Sequence, residues 1–311
     1  MITDQPAILE VSALSVSFRM YDKGFDQKDL KVISNLNITI HPGEVLAIVG
    51  SSGSGKSLLA SAIMGLLPNN ATIKGSMHYK GQPLTPNRQK LLRGTEIAFV
   101  PQSVSYLDPL MKIGRQVDGY KKPYPTEKRR AIFRQLSLPD DIEKKYPYQL
   151  SGGMIRRVLA ATALITEAEL IIADEPTPGM SLDQALKALT MFREMADAGK
   201  AVILITHDID LAFKFADRIT VFYAGTTVET VSTHDFQTGA AKLHHPYSKA
   251  LWRAMPQNEF ESFPGFQPYA GDLPKGCLFS PRCPHKIPAC EAAVPEMRTM
   301  KGGEVRCCHA T

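Results

Sequence analysis

Gly50-Ser51-Ser52-Gly53-Ser54-Gly55-Lys56-Ser57 is the stretch on which the fold turns. Apolar residues 45–49 precede it and a helix-compatible run, residues 58–66, follows. A glycine-rich loop between strand and helix is the context a phosphate-cradling P-loop requires. Glycines let the backbone turn tightly, so its N–H groups point inward at phosphate oxygens. The helix opening behind the loop adds its positive N-terminal end. Lys56 is expected to reach the outer phosphates of a nucleotide and the Ser57 hydroxyl to ligate Mg²⁺, with Gly50 through Leu58 forming the phosphate contact.

Outward from this loop, apolar runs alternate with helix-like segments, the pattern of an α/β domain with a largely parallel sheet. Strands are expected at 8–18, 36–40, 44–49, 72–79, 96–100, 170–173, 201–205 and 218–223. Helices are expected to begin near Lys56, Thr126, Gly152, Leu182 and Ile209. Residues 82–166 read as a helix-rich insertion into the strand pattern, and beyond about His244 the alternation stops. Residues 256–274 hold four prolines and two glycines, which reads as a linker or an extended wrap.

Composition narrows the classes. At 311 residues, 44% hydrophobic and 22% charged, the chain can bury a sizeable core. The N-terminal residues lack the basic-then-apolar layout of a secretory signal, and no apolar run approaches the ~18 residues of a membrane span. A protein of this kind that works at a membrane is held there by a partner. The net charge of +5 is mild, and its most uneven part is residues 112–134, with eight basic and two acidic side chains. A solvated helical face accounts for that run; a surface facing anionic lipid or an acidic partner is the alternative. No aromatic-interleaved basic motif supports nucleic-acid binding.

Leu170-Ile171-Ile172-Ala173-Asp174-Glu175 is an apolar strand ending in two carboxylates. Beside a P-loop, Asp174 is expected to hold Mg²⁺ through water and Glu175 to polarise the attacking water. Three more segments follow the same order. Gln102 comes after the strand at 96–100. Leu150-Ser151-Gly152-Gly153-Met154 opens a helix, and Thr206-His207-Asp208 follows the strand at 201–205.

This series resembles the ABC ATPase family. The resemblance implies a P-loop NTPase: a RecA-like core with an antiparallel β subdomain and a helical subdomain. It makes Glu175, His207, Gln102 and Lys56 the catalytic set, with Mg²⁺ on Ser57, Gln102 and Asp174. Ser151, Gly152 and Gly153 would cap the γ-phosphate of ATP held by an opposite subunit. Phe18, 32 residues before Gly50, stands where the family's adenine-stacking aromatic would be; a core phenylalanine is the alternative. A split site of this kind implies that an isolated subunit hydrolyses ATP slowly or not at all.

Several segments resemble the oligopeptide, dipeptide and nickel importer branch. Met154 replaces the usual glutamine of the signature. His245-Pro246-Tyr247-Ser248-Lys249-Ala250-Leu251, Leu273–Pro284 and the ending Val305-Arg306-Cys307-Cys308-His309 are similar to the branch's C-terminal motifs. The resemblance implies an ATPase domain at 1–243 with its helical subdomain at about 82–166, and a C-terminal region at 244–311. It also implies a second ATPase chain, arranged as a heterodimer, two permeases and an extracellular substrate-binding protein. The protein would sit on the cytoplasmic face of a bacterial membrane. Two departures stand out. After Glu175 the run is Pro-Thr-Pro-Gly-Met-Ser-Leu-Asp, placing Ser181 where the family has aspartate, or Asp183 there if two residues are inserted. The stretch from Leu107 to Leu150 is also shorter than the family's. A soluble ABC ATPase or a regulatory subunit with weakened hydrolysis are the competing readings.

All five cysteines lie within the last 35 residues, a distribution that sets the tail apart from the body. Cys277, Cys283, Cys290 and Cys308 are separated by five, six and seventeen residues, with Cys307 an extra thiol. Four thiolates suit Zn²⁺ or a [4Fe–4S] cluster. The branch resemblance favours the cluster, with His285 and His309 as alternative ligands. Free reduced thiols are the remaining option, and the expected role is structural.

Overall fold

The computed structural model describes residues 5–21, 26–119, 123–300 and 302–310. A long hairpin opens the chain: β1 (Leu9–Tyr21) pairs with β2 (Gln27–Ile40) from Leu9↔Ile40 outward. The strand β3 (Val45–Gly50) then runs into the P-loop and α1 (Lys56–Met64). Next come β4 (Ala71–Tyr79), β5 (Gln82–Pro83), α2 (Pro86–Leu92) and β6 (Ile97–Val100). Three helices, α3 (Ile113–Asp118), α4 (Thr126–Gln135) and α5 (Gly152–Leu164), follow before β7 (Leu170–Asp174). The last part of the body is α6 (Leu182–Asp197), β8 (Ala201–Ile205), α7 (Ile209–Phe215), β9 (Arg218–Tyr223), β10 (Thr226–Ser232) and α8 (Thr233–Thr238). The tail contributes α9 (Pro246–Arg253), α10 (Pro288–Ala292), β11 (Arg298–Met300) and β12 (Gly303–Val305).

Two sheets result. The four-stranded sheet has the order β2-β1-β4-β5 and is antiparallel. The eight-stranded sheet has the order β11-β12-β10-β9-β3-β8-β7-β6, parallel from β9 to β6 and antiparallel beyond. Every residue of β3, β7 and β8 is buried. Strands covered on both faces need the near-continuous apolar sequence they have. The P-loop, Asp174 and His207 therefore meet at the carboxyl ends of neighbouring strands, where open α/β sheets bind ligands.

All eight expected strands exist, and the five named helices start at the residues named. β2 is longer than expected, because its first half, rich in Lys and Asp, is an exposed arm of the hairpin and carries no core pattern. β10 was not expected at all. Its sequence, Thr-Thr-Val-Glu-Thr-Val-Ser, is polar, yet Thr227 and Glu229 are fully buried. Their polar atoms find partners: the Thr227 hydroxyl accepts the Asn37 N–H at 3.3 Å and Glu229 accepts the His244 and His245 backbone N–H groups, while the Thr220 and Thr230 hydroxyls bond each other at 2.9 Å. Polar residues can be interior when each finds a partner.

The tail is built into the body. β12 pairs with β10 through Glu229↔Val305, so the large sheet continues past the expected end of the α/β pattern. Phe279, 1% exposed, packs in the same core cluster as Val49, Val221 and Tyr223. Arg306 is buried and donates to the carbonyls of Asn35, Thr227 and Pro295, tying both sheets to the tail. Gly276 approaches so closely that an added Cβ would lie 2.1 Å from the Cys290 carbonyl oxygen.

Candidate nucleotide site

Gly50 begins the loop with φ at 153°, and a Cβ there would lie 2.3 Å from the Phe222 carbonyl oxygen. Only glycine lets β3 turn while β9 stays alongside. The loop and its surroundings enclose a cleft of about 490 Å³ lined by Val32, Ser52, Gly53, Gly55, Lys56, Ser57, Leu58, Gln102, Glu175 and His207. The expected phosphate loop, Q-loop glutamine, carboxylate and histidine are thus brought to one place.

Lys56 is buried and donates from Nζ to the Gly50 carbonyl at 2.8 Å and the Ser51 carbonyl at 3.0 Å. Burial lowers its pKa, opposed by the charges of Glu175 and Asp174. Ser54, 1% exposed, has a hydroxyl without a partner, and so does Oδ1 of Asp174. Burial raises Asp174 to about 6, with the Ser57 hydroxyl opposing that rise by hydrogen bonding. A buried carboxylate oxygen left unpaired beside a hydroxyl, with Gln102 on the same cleft, fits an Mg²⁺ site made of Ser57, Asp174 and Gln102. Bound there, the ion would neutralise phosphate charge.

Glu175 follows Asp174 with its backbone at φ 49°, a left-handed conformation that is uncommon outside glycine. Its N–H donates to the Ile205 carbonyl at 2.9 Å, which fixes the turn against β8. Such strain clusters at functional sites. The carboxylate is 8% exposed, and its Oε2 lies 2.8 Å from Nδ1 of the exposed His207. The pair can orient a water at the cleft and move its proton.

Arg156 was missed from the sequence. From the second turn of α5 it donates to the backbone carbonyls of Gln102 and Glu175, joining the two catalytic segments. The signal was an arginine pair in an otherwise apolar helix. Its neighbour Arg157 turns inward to the Leu136 and Ser137 carbonyls at the end of α4.

Not every expected residue reaches the cleft. Ser151 caps α5, its hydroxyl accepting the Met154 N–H, and Ser151 and Gly152 are exposed away from the loop. Phe18, on β1 opposite Leu30, is half-buried against the apolar cluster that includes Leu59 and Phe222 and does not line the cleft. Val32 lines it, with no sequence signal to single it out. Ser181 is the N-cap of α6 and shares a reciprocal cap with Gln184, whereas Asp183 is exposed in an i,i+4 pair with Lys187. A larger groove, about 860 Å³, lies apart from the phosphate loop between Phe99, Tyr106, Met111, Arg115 and Leu159. In the basic run 112–134, of which 120–122 lie outside the described residues, Arg129 pairs with Asp118 and Glu143, and Arg130 with Glu143.

The cysteines gather. Burial raises the pKa of the Cys277, Cys283, Cys307 and Cys308 thiols, and each is raised further by neighbouring cysteines. Backbone N–H groups of Phe279, His285 and His309 point at the sulfurs of Cys277, Cys283 and Cys307. Burial pushes the Cys277 thiol up to about 11. Cys290 and Cys307 are buried, and Cys277, Cys283 and Cys308 are half-buried. Even so, among the described residues no three His, Cys, Asp or Glu side chains are placed to hold one metal ion.

A P-loop facing a strand-end carboxylate, a glutamine and a histidine defines an ATP-hydrolysing cassette. Comparisons with known proteins agree. The ABC transporter family profile matches residues 33–178, and that of the oligopeptide/dipeptide transporter C-terminal region matches residues 228–290. The chain is 35% identical to the oligopeptide transport ATP-binding protein OppD of Salmonella typhimurium, over 98% of this chain and 94% of the relative. It is 34% identical to the dipeptide transport ATP-binding protein DppD of Escherichia coli, over 97% and 96% respectively. Among solved structures, the dimeric post-hydrolysis state of the ATP-binding cassette MJ0796 bound to ADP and Pi superposes with a TM-score of 0.64 at 26% identity, covering 72% of this chain and 98% of that one. The chain belongs to the ATP-binding subunits of ABC transporters, in the oligopeptide/dipeptide branch, and is an ATPase.

Proposed function

We propose that this chain binds and hydrolyses ATP at the cleft above to drive import of oligopeptides or dipeptides through a membrane permease. The single observation that carries the reading is the incompleteness of the cleft: among the described residues its walls include the loop, Gln102, Glu175 and His207, but not the signature segment. Ser151 and Gly152 are instead presented to solvent, as a surface for another subunit's nucleotide. The dimeric form of the MJ0796 cassette supports this arrangement.

The same reading supplies the partners. A second ATPase chain, in a heterodimer, supplies the opposing signature. Two permeases carry the cargo, delivered by an extracellular binding protein. The groove bounded by Tyr106, Met111 and Arg115 is the natural seat of a permease segment, being large, partly apolar and formed by the helical insertion. Among the described residues no helix is long and apolar enough to cross a membrane, which accords with peripheral attachment at the cytoplasmic face. The peptide-transport relatives favour peptides over nickel or a metal chelate as cargo.

Gathered thiols with N–H groups aimed at their sulfurs favour a [4Fe–4S] cluster in the tail, with Zn²⁺ as the alternative. The thiols would have to draw closer on loading, because no three are set for a metal as they stand. The test is ATPase rate and metal content of the anaerobically purified chain, alone and with its co-expressed ATPase partner. Activity that appears only with the partner, beside about four irons per chain, is expected. Equal activity of a strictly monomeric sample would overturn the split site, and absence of metal would overturn the cluster.

A further inference from the structure

Ser51, the second residue of the phosphate loop, is held from the C-terminal tail. Its hydroxyl donates to Oε1 of Gln267 at 2.8 Å, across 216 residues of sequence. The same Oε1 accepts the Ala224 N–H at 3.4 Å, at the turn after β9. That turn is itself tied to the loop, for Gly225 N–H donates to the Ser54 carbonyl at 2.8 Å. Tyr247, in the first turn of α9, packs in the same core cluster as Val49 and Ala224, which flank the loop, and Ser51 opposes the rise that burial gives its phenol pKa.

Tyr247 is fixed in turn. Its ring centroid lies 4.5 Å from that of Tyr223 and 5.5 Å from that of Phe279. Phe279 stands between Cys277 and Cys283, so rigid packing leads from the thiol cluster to the phosphate loop. The extended segment beyond Gln267 follows the rim of the cleft: a Cβ on Gly271 would touch both the Tyr269 ring and Leu30. Leu30 is two residues from the cleft-lining Val32 on β2.

Ser51 is also where Lys56 is anchored, through its carbonyl. The residue whose carbonyl parks the phosphate-binding lysine is thus held by the tail through its side chain. We propose that Gln267 and Tyr247 are positioning residues for the phosphate loop, setting MgATP affinity by holding the Ser51 peptide in its phosphate-ready orientation. They act through Ser51 and need not touch nucleotide. The inference rests on ATP binding at this cleft and adds that the tail, far away in sequence, tunes it.

The test is MgATP affinity of the full-length chain by calorimetry, with thermal midpoints measured beside it. Gln267→Ala is expected to weaken MgATP binding about 2–10-fold, the loss of one or two hydrogen bonds. Gln267→Met keeps the side-chain length and removes the acceptor, and is expected to weaken binding as much as alanine does. Ser51→Ala combined with Gln267→Ala is expected to bind no worse than the weaker single variant, because the two share one interaction. Tyr247→Phe, which retains the ring and removes only the phenol, gives a separate reading should Gln267→Ala fold poorly, with the same 2–10-fold loss expected. Unchanged affinity in both Gln267→Ala and Tyr247→Phe overturns the proposal, as does an alanine loss that tracks the thermal midpoint and is absent from Gln267→Met. A wild-type chain that fails to bind MgATP would instead overturn the reading of the cleft.

Discussion

The nucleotide face and the tail seat their buried cations differently. Around the phosphate loop, hydrogen-bonding capacity is left unfilled: the Ser54 hydroxyl and one Asp174 oxygen have no partner, and Lys56 falls back on the carbonyls of its own loop. In the tail, Arg306 is buried with its donors satisfied by three backbone carbonyls, and Arg282 sits against the carbonyls of Phe263 and Pro264 and over the Phe279 ring. Burying a polar group without a partner costs on the order of 1–3 kcal/mol. The tail carries it too, at the Ser248 hydroxyl and Nε2 of His309, but its buried arginines rest on fixed carbonyls, whereas the loop's unfilled groups stand in the nucleotide-binding motif. The contrast separates a working surface from a clamp.

The sharpest way to break the comparison is at the carboxylate. Glu175→Gln is expected to lower the ATPase rate of the assembled protein about 10²–10⁴-fold while MgATP still binds. Single-turnover hydrolysis and nucleotide binding measured together check it. Retained hydrolysis would remove Glu175 from the chemistry and leave the His207 contact without a role.

On the tail side, Phe279→Ala is expected to reduce unfolding free energy by about 3–5 kcal/mol in urea titration, the cost of truncating a buried aromatic. A loss under about 1 kcal/mol would mean that the tail is an appendage rather than a part of the body's core.

The smallest expected effect sharpens the comparison through pH. Burial pushes the His245 imidazole down to about 3, and its Nδ1 accepts the Tyr247 N–H as the cap of α9. The folded protein therefore keeps His245 neutral, while the unfolded chain takes up a proton below about pH 6.5. Stability contributed by this group is present above pH 6.5 and falls by about 1.4 kcal/mol per pH unit between 6.5 and 3. Glu229, whose carboxyl burial pushes upward, accepts the His245 backbone N–H and works in the opposite direction as pH falls. His245→Asn keeps a capping acceptor and removes the titration. The stability difference between wild type and this variant is expected to shift against wild type by about 2 kcal/mol from pH 6.5 to 5, and a constant difference would show that the imidazole is protonated in the fold.

Legibility followed the range of the interactions. The phosphate loop, the Asp174-Glu175 strand end, the Ser151 cap and the starts of five helices could be read because each is set by residues within a turn or a strand of one another. Glycine spacing, caps and apolar runs are local physics. β10 was not legible, because its Thr and Glu side chains become interior only when Thr220 and the His244–His245 backbone meet them. Arg156 was half legible, as an arginine pair in an apolar helix, but its two carbonyl partners lie on other strands' ends.

The sequence by itself determined the phosphate loop, the order of the segments that meet it and the parallel character of the sheet, all of which short-range periodicity and spacing encode. Only the tertiary structure decided that the cysteine tail joins that sheet and that Gln267 reaches Ser51. Those contacts join residues far apart along the chain, 271 positions in the case of Arg306 and Asn35. No local pattern announces such pairs, because their partners come within reach only after the backbone has closed around the core.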